Sequence, residues 1–176
     1  IILDMILKYI LTTYLFINLI FAHKVVNNLD LEKFMGKWYV ISLIPNYFEK
    51  GAENAYDYYE LNDDGTIDIK YQATRNDKIK TLKQKGIISS ESNAKWKIKF
   101  LKPFIPFFKA PYEVIILDSN YTYMAVGYPN NDYGWIMSRD TVIQNDLYNE
   151  IIEKLDKDFN YSKGSFQKVI HNYKIK

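Results

Sequence analysis

A chain of 176 residues suits one domain with a substantial core, and no shift in composition marks a second. The absence of cysteine excludes disulfides, thiolate nucleophiles and Cys-ligated metals, and a net charge of +2 falls far short of the basic excess that nucleic-acid binding requires. With 16 Tyr and 10 Phe against 7 Gly, the composition favours strands and supplies large side chains to line a cavity.

In chain order, the first feature is an uncharged apolar run from Tyr9 to Ala22, preceded by Lys8 and containing Asn18. It is shorter than the about 20 apolar residues that span a bilayer. The expectation is a secretory signal over residues 1–22, with Met5 as initiator and cleavage near Ala22 and His23, leaving 23–176 as the mature domain. An uncleaved anchor or a buried N-terminal helix is the alternative. No acylatable Cys follows the run, so attachment to a membrane through one is not expected.

From Lys37 onward, alternation with period two predicts strands near residues 37–44, 55–61, 67–71, 79–89, 94–100, 112–117, 121–127 and 133–139. The clearest places Ala94, Trp96, Ile98 and Phe100 on one face and Lys95, Lys97 and Lys99 on the other. Asn62-Asp63-Asp64-Gly65, Asp118-Ser119-Asn120 and Pro129-Asn130-Asn131-Asp132 are turns. Eight strands joined by short turns form an all-β, antiparallel up-and-down β-barrel, since closure removes sticky edges and leaves room for one small ligand.

One helix follows. Leu147, Ile151, Ile152, Leu155 and Phe159 share a face opposite Glu150, Glu153, Lys154 and Lys157, with Asn145 or Asp146 as N-cap, so the helix should pack on the outside of the barrel. A short strand near residues 166–169 should pair with the first strand. The two histidines, His23 and His171, have no partner at ligand spacing, so no metal and no cofactor are expected.

Gly36-Lys37-Trp38-Tyr39, after Leu29-Asp30-Leu31-Glu32-Lys33-Phe34, resembles the Gly-x-Trp signature that opens lipocalins. Leu117-Asp118-Ser119-Asn120-Tyr121 and Trp135-Ile136-Met137-Ser138-Arg139 follow in the order of the other two signature regions. Val25-Val26-Asn27-Asn28-Leu29-Asp30, Phe48-Glu49-Lys50-Gly51 and Asp132-Tyr133-Gly134-Trp135 resemble the bacterial branch, which is similar to apolipoprotein D. The resemblance implies carriage of a small hydrophobic ligand, a fatty acid or lysophospholipid, with an envelope role in lipid storage, scavenging or repair under membrane stress. It implies an exported protein, periplasmic or secreted, monomeric or homodimeric.

Physically, Trp38 should point inward at the closed end, Gly36 should let the chain pass beneath it, and Arg139 should lay its guanidinium across the indole. Asp118 and Tyr121 belong to the same end. Counting by twos from these anchors gives an inward lining of Val40, Ser42, Ala55, Asp57, Tyr59, Ile69, Tyr71, Leu82, Gln84, Trp96, Ile98, Phe100, Trp135 and Met137, with Tyr112 added and the parity near Tyr112 and Tyr123 open. One bulge would reverse any row. Asp57 sits either near the open mouth in water or as a polar anchor for a ligand hydroxyl or amine.

The loop Phe104-Ile105-Pro106-Phe107-Phe108, between Lys102 and Lys109, reads as a greasy rim meeting a lipid surface or as a cover tucked over the cavity. Arg75, Lys78, Lys102 or Lys109 could pair a carboxylate at the entrance. Nothing resembles a nucleophile elbow, a phosphate loop or a zinc signature, and the Cys used by the prostaglandin synthase among lipocalins is missing, so no enzyme is expected. A secreted interaction module, or a carrier of haem, bilin or sterol, are the alternatives.

Overall fold

The computed structural model describes residues 23–172. The signal-type segment expected at residues 1–22 lies outside the described residues. A short helix, α1 (Leu31–Phe34), leads into β1 (Gly36–Leu43), followed by β2 (Glu53–Leu61), β3 (Ile67–Arg75), β4 (Lys78–Ile88), β5 (Lys95–Lys102), β6 (Phe104–Leu117), β7 (Tyr123–Gly127) and β8 (Gly134–Ser138). Helix α2 (Asn145–Phe159) and the two-residue β9 (Gln167–Lys168) complete the chain.

Every neighbouring pair is antiparallel, and β1 pairs with both β8 and β2, so the eight strands close on themselves. Closure divides the length of β1. Its first half pairs with β2 (Trp38 opposite Asp57), whereas its second half pairs on that edge with β9 (Ser42 opposite Lys168). The expected last strand is therefore present, paired with β1.

The interior is packed at one end and hollow at the other. Phe34, Trp38, Tyr59 and Trp96 form one aromatic cluster, with ring centroids 5.1 Å apart for Phe34–Trp96 and 5.5 Å for Phe34–Trp38. Trp96 stacks on Tyr112 at 4.8 Å with the rings 5° from parallel. A second apolar cluster lies outside the ring, where Ile151, Ile152 and Leu155 of α2 cover Ile41, Ile115, Ile116, Ala125 and Ile136.

That outer cluster depends on two irregularities. The β1–β8 register slips between Val40 and Ser42, and the β6–β7 register slips between Val114 and Ile116. In each case two successive residues turn toward the helix side, Ile41 with Ser42 and Ile115 with Ile116, and the next residue, Leu43 or Leu117, returns to the inner cluster. An extra residue in one strand reverses inside and outside beyond it. The side chains that α2 needs are thereby gathered on one wall.

Two local expectations are corrected. The residue capping α2 is Gln144, which makes no side-chain cap; Asn145 and Asp146 lie inside the first turn, where Asp146 complements the helix dipole. The segment expected as a loop at Phe104 to Phe108 is the start of β6, paired from Leu101 opposite Phe104. The hairpin β5–β6 thus projects as a strand pair, with Phe107 fully exposed and Phe104 73% exposed.

Candidate functional site

The closed end is built on Arg139. Its Cζ lies 3.8 Å from the Trp38 ring centroid. Nη1 donates to the Lys37 carbonyl at 2.8 Å, Nη2 to Lys33 at 2.7 Å and Phe34 at 3.1 Å, and Nε to Tyr121 at 3.3 Å. The Trp38 Nε1–H donates to the same Phe34 carbonyl at 2.8 Å. Gly36 has φ +92°, and a Cβ there would lie 3.4 Å from Arg139 Nη1, so the guanidinium passes over a position with no side chain.

The Tyr121 hydroxyl accepts from the Asp30 N–H at 2.8 Å, tying the incoming arm to the β6–β7 turn. Asp118 holds that turn by accepting from Thr122 Oγ1 at 2.7 Å, and this bond keeps its carboxyl below the usual range. Residues from three separate stretches of sequence therefore meet at one stopper.

Above it lies a cavity of about 200 Å³, open at the far end of the barrel. Of the residues anticipated for the lining, Asp57, Tyr59, Ile69, Tyr71, Leu82, Gln84, Ile98, Phe100, Tyr112, Trp135 and Met137 face it. Four do not. Ser42 lies beyond the β1 bulge, and its Oγ is 3.1 Å from the Tyr148 hydroxyl of α2, on the outer side. Val40, Ala55 and Trp96 are buried in the inner apolar cluster, where neighbouring side chains leave no free surface toward the hollow.

The mouth is framed by the β1–β2 loop, which supplies Asn46, Tyr47, Phe48 and Glu49, and by Phe108, Tyr128 and Tyr133. Asn46 Oδ1 accepts from the Phe48 N–H at 2.9 Å and the Glu49 N–H at 3.1 Å, folding the loop inward. Glu49 is consequently buried, accepting from Trp135 Nε1 at 3.0 Å and from the Asn46 amide. Burial raises its carboxyl above the usual range, against the opposing effect of those two donors.

Asp57 stands opposite Trp38 on β1 and opposite Tyr71 on β3, close above the packed end. It is not at the mouth in bulk water, as one expectation had it. Loss of water pushes its carboxyl up to about 8, the charge of Glu49 adds to the rise, and the Tyr59 hydroxyl, donating at 3.3 Å, opposes it. Tyr59 is in turn 2.8 Å from the Tyr112 hydroxyl. The hydroxyl of Tyr71, buried and lining the same space, has no hydrogen-bond partner among the described residues.

The basic candidates at the entrance stay outside. None of the described residues that line the cavity is Lys or Arg. Arg75 instead turns to the Tyr47 carbonyl at 3.4 Å. His23, for which no partner was anticipated, lies against the outer wall with Nδ1 2.8 Å from Glu113 and Nε2 2.6 Å from Asn131.

The missed member is Glu49. An Asn followed three residues later by Glu has the spacing of a self-capping turn, and this was its available signal. No periodic pattern says which way a loop carboxyl folds.

A sequence profile for the lipocalin-like domain matches residues 29–171, almost the whole described chain. The chain belongs to the lipocalin family. It is 32% identical over 153 residues to temperature-induced lipocalin-1 of Arabidopsis thaliana, covering 80% of this chain and 79% of that protein. It is 31% identical over 131 residues to the outer membrane lipoprotein Blc of Escherichia coli K12, covering 73% and 72% of the two chains. Insecticyanin of the tobacco hornworm shares the fold, with a TM-score of 0.66 at 17% identity over 88% of this chain and 86% of that one. In this lipocalin the stopper closes one end of the barrel, and membership of the family supports binding of small hydrophobic ligands.

Proposed function

We propose that this lipocalin binds one small single-tailed lipid, of the fatty acid or lysophospholipid class, carries or stores it without altering it, and meets anionic membranes at its mouth. The observation that carries the reading is a closed barrel with an apolar hollow open at one end only. Each methylene taken out of water contributes about 0.8 kcal/mol, so Ile69, Leu82, Ile98 and Met137 suffice to hold a tail. A hydrocarbon-lined cavity of roughly 150 Å³ encloses a benzene ring. At about 200 Å³ this hollow encloses a short segment of chain, and a longer tail continues past Phe100 and Phe108 into the mouth.

Membrane contact is supported by what surrounds that mouth. Ile79, Leu101, Phe104, Phe107 and Phe108 are exposed large hydrophobics at the ends of β4, β5 and β6. On the outer face of the same strands Lys70 stands opposite Lys83, Lys85 opposite Lys99, and Lys99 opposite Lys109. Like charges directly opposed across strands are unfavourable, and an anionic lipid surface relieves them. Such a role fits an exported protein, periplasmic or secreted, with a part in envelope lipid maintenance.

Titration of the purified chain with single-tailed lipids, followed by quenching of Trp135, tests the cavity. Saturable one-to-one quenching is expected, and its absence for every tail tried would overturn the reading. Co-sedimentation with vesicles tests the rim: retention on anionic but not on neutral vesicles is expected, lost when Phe104 and Phe107 become Ser.

A further inference from the structure

The charged groups among the described residues that line the hollow are of one kind. Asp57 on β2 and Glu49 in the β1–β2 loop are acids that both line the space, near enough for the charge of Glu49 to raise Asp57 and for both to raise the Tyr71 hydroxyl. No lining residue among those described carries a positive charge to offset them. Arg75, at the end of β3, is the cation whose charge reaches Tyr71, and its guanidinium points away to the Tyr47 carbonyl.

A buried hydroxyl without a partner is unusual, because leaving such a group unsatisfied costs about 1–3 kcal/mol. The Tyr71 hydroxyl is one, across the strand pair from Asp57 in an otherwise apolar wall. Asp57 Oδ2 accepts from Tyr59, and no described residue donates to Oδ1. The space therefore offers hydrogen-bond acceptors and negative charge, with no donor cation.

We propose that Asp57, Glu49 and the Tyr71 hydroxyl form a head-group site that selects single-tailed amphiphiles bearing a protonated amine over those bearing a carboxylate. This rests on the reading of the hollow as a ligand site. An ammonium brings three donors and a positive charge, matching the carboxyl oxygens and the tyrosine oxygen. A carboxylate brings only acceptors, and its charge is opposed by the acids that line the space, where repulsion is less screened than in bulk water. Since Asp57 lies near the packed end, the amine enters first and the tail trails toward Phe48, Phe100 and Phe108.

Binding of the amine also moves a proton. Burial holds Asp57 largely protonated at neutral pH, whereas the ammonium favours its ionised form, so one proton leaves for solvent as the complex forms.

The test uses three ligands with the same tail, decylamine, decanol and decanoate, titrated into the full chain at pH 7.4 by calorimetry in two buffers of different ionisation enthalpy. Decylamine is expected to bind at least tenfold more tightly than decanoate, with up to one proton released. Asp57→Asn and Glu49→Gln are each expected to shrink that preference, and together to bring it within about twofold. Decanoate binding as tightly as decylamine to the unaltered chain overturns the proposal without needing any variant to fold. A preference that survives both substitutions in folded protein overturns it too. If decanol binds while the amine is not favoured, the head-group site alone falls; if none of the three binds, the ligand cavity falls with it.

Discussion

The two ends of this barrel handle polar groups in opposite ways. At the closed end the guanidinium of Arg139 reaches four carbonyls while covering the Trp38 indole, and the Trp38 N–H has its own acceptor. In the hollow, Asp57 and Glu49 are desolvated with few donors, and the Tyr71 hydroxyl has none among the described residues. Satisfied groups lock a structure; unsatisfied ones are a standing cost that a ligand can remove. The contrast separates the part of the molecule that sets stability from the part that chooses what is bound.

The hardest blow to that contrast is Arg139→Ala. Loss of a cation-π contact and several charge-assisted bonds should cost about 3 kcal/mol, lowering Tm by about 6–12 °C, while the affinity of the folded fraction for decanol changes less than twofold. A thermal melt beside a ligand titration reads both; a Tm change under 3 °C would remove the closed end as the anchor. Filling the hollow should do the reverse. Leu82→Trp is expected to weaken decanol binding at least tenfold with Tm within about 3 °C of the parent, because the new ring occupies space already empty.

Asp57→Asn should sharpen the comparison through pH. The folded carboxyl titrates near 8, far above its unfolded value, so between about pH 4 and 8 the unfolded chain has released a proton that the folded chain keeps. Stability falls as pH rises through that window, and the cost levels off above it. The variant should match the parent at pH 4 and melt above it at pH 9, the gap opening across that window by at least about 2 °C. A gap that does not widen with pH would place Asp57 in water. The smallest effect belongs to neither end: Tyr148→Phe should cost about 1 kcal/mol by removing the partner of buried Ser42, with ligand binding unchanged.

The closed end was almost fully legible in the sequence, because its parts are unusual residues at fixed places. A Gly-x-Trp ahead of the first strand and an Arg ending the eighth fit together in one way, as an indole covered by a guanidinium, and α2 followed from a plain 3.6-residue stripe. The lining was legible only as far as alternation held. Counting by twos from Trp38 works to Val40 and fails at Ser42, since a bulge is a feature of two strands together and leaves no mark in either alone. It also cannot say where packed core ends and hollow begins, and so Val40, Ala55 and Trp96 could not be told from Ile69 and Ile98. Glu49 escaped because the direction of its loop is settled also by Trp135, which is close to it only in the fold.

The stopper joins the first and last strands of the ring, and this dictates when it can form. Arg139 and Phe34 are separated by 105 residues, and of the carbonyls the guanidinium reaches only that of Tyr121 is near it in sequence. Contacts of such long range require most of the chain's conformational freedom to be given up first, and are slow to arrive. During synthesis, the strands up to β7 emerge before the residue that seals them exists. The nascent sheet is then a trough open at both ends, with its aromatic floor uncovered until the eighth strand is delivered.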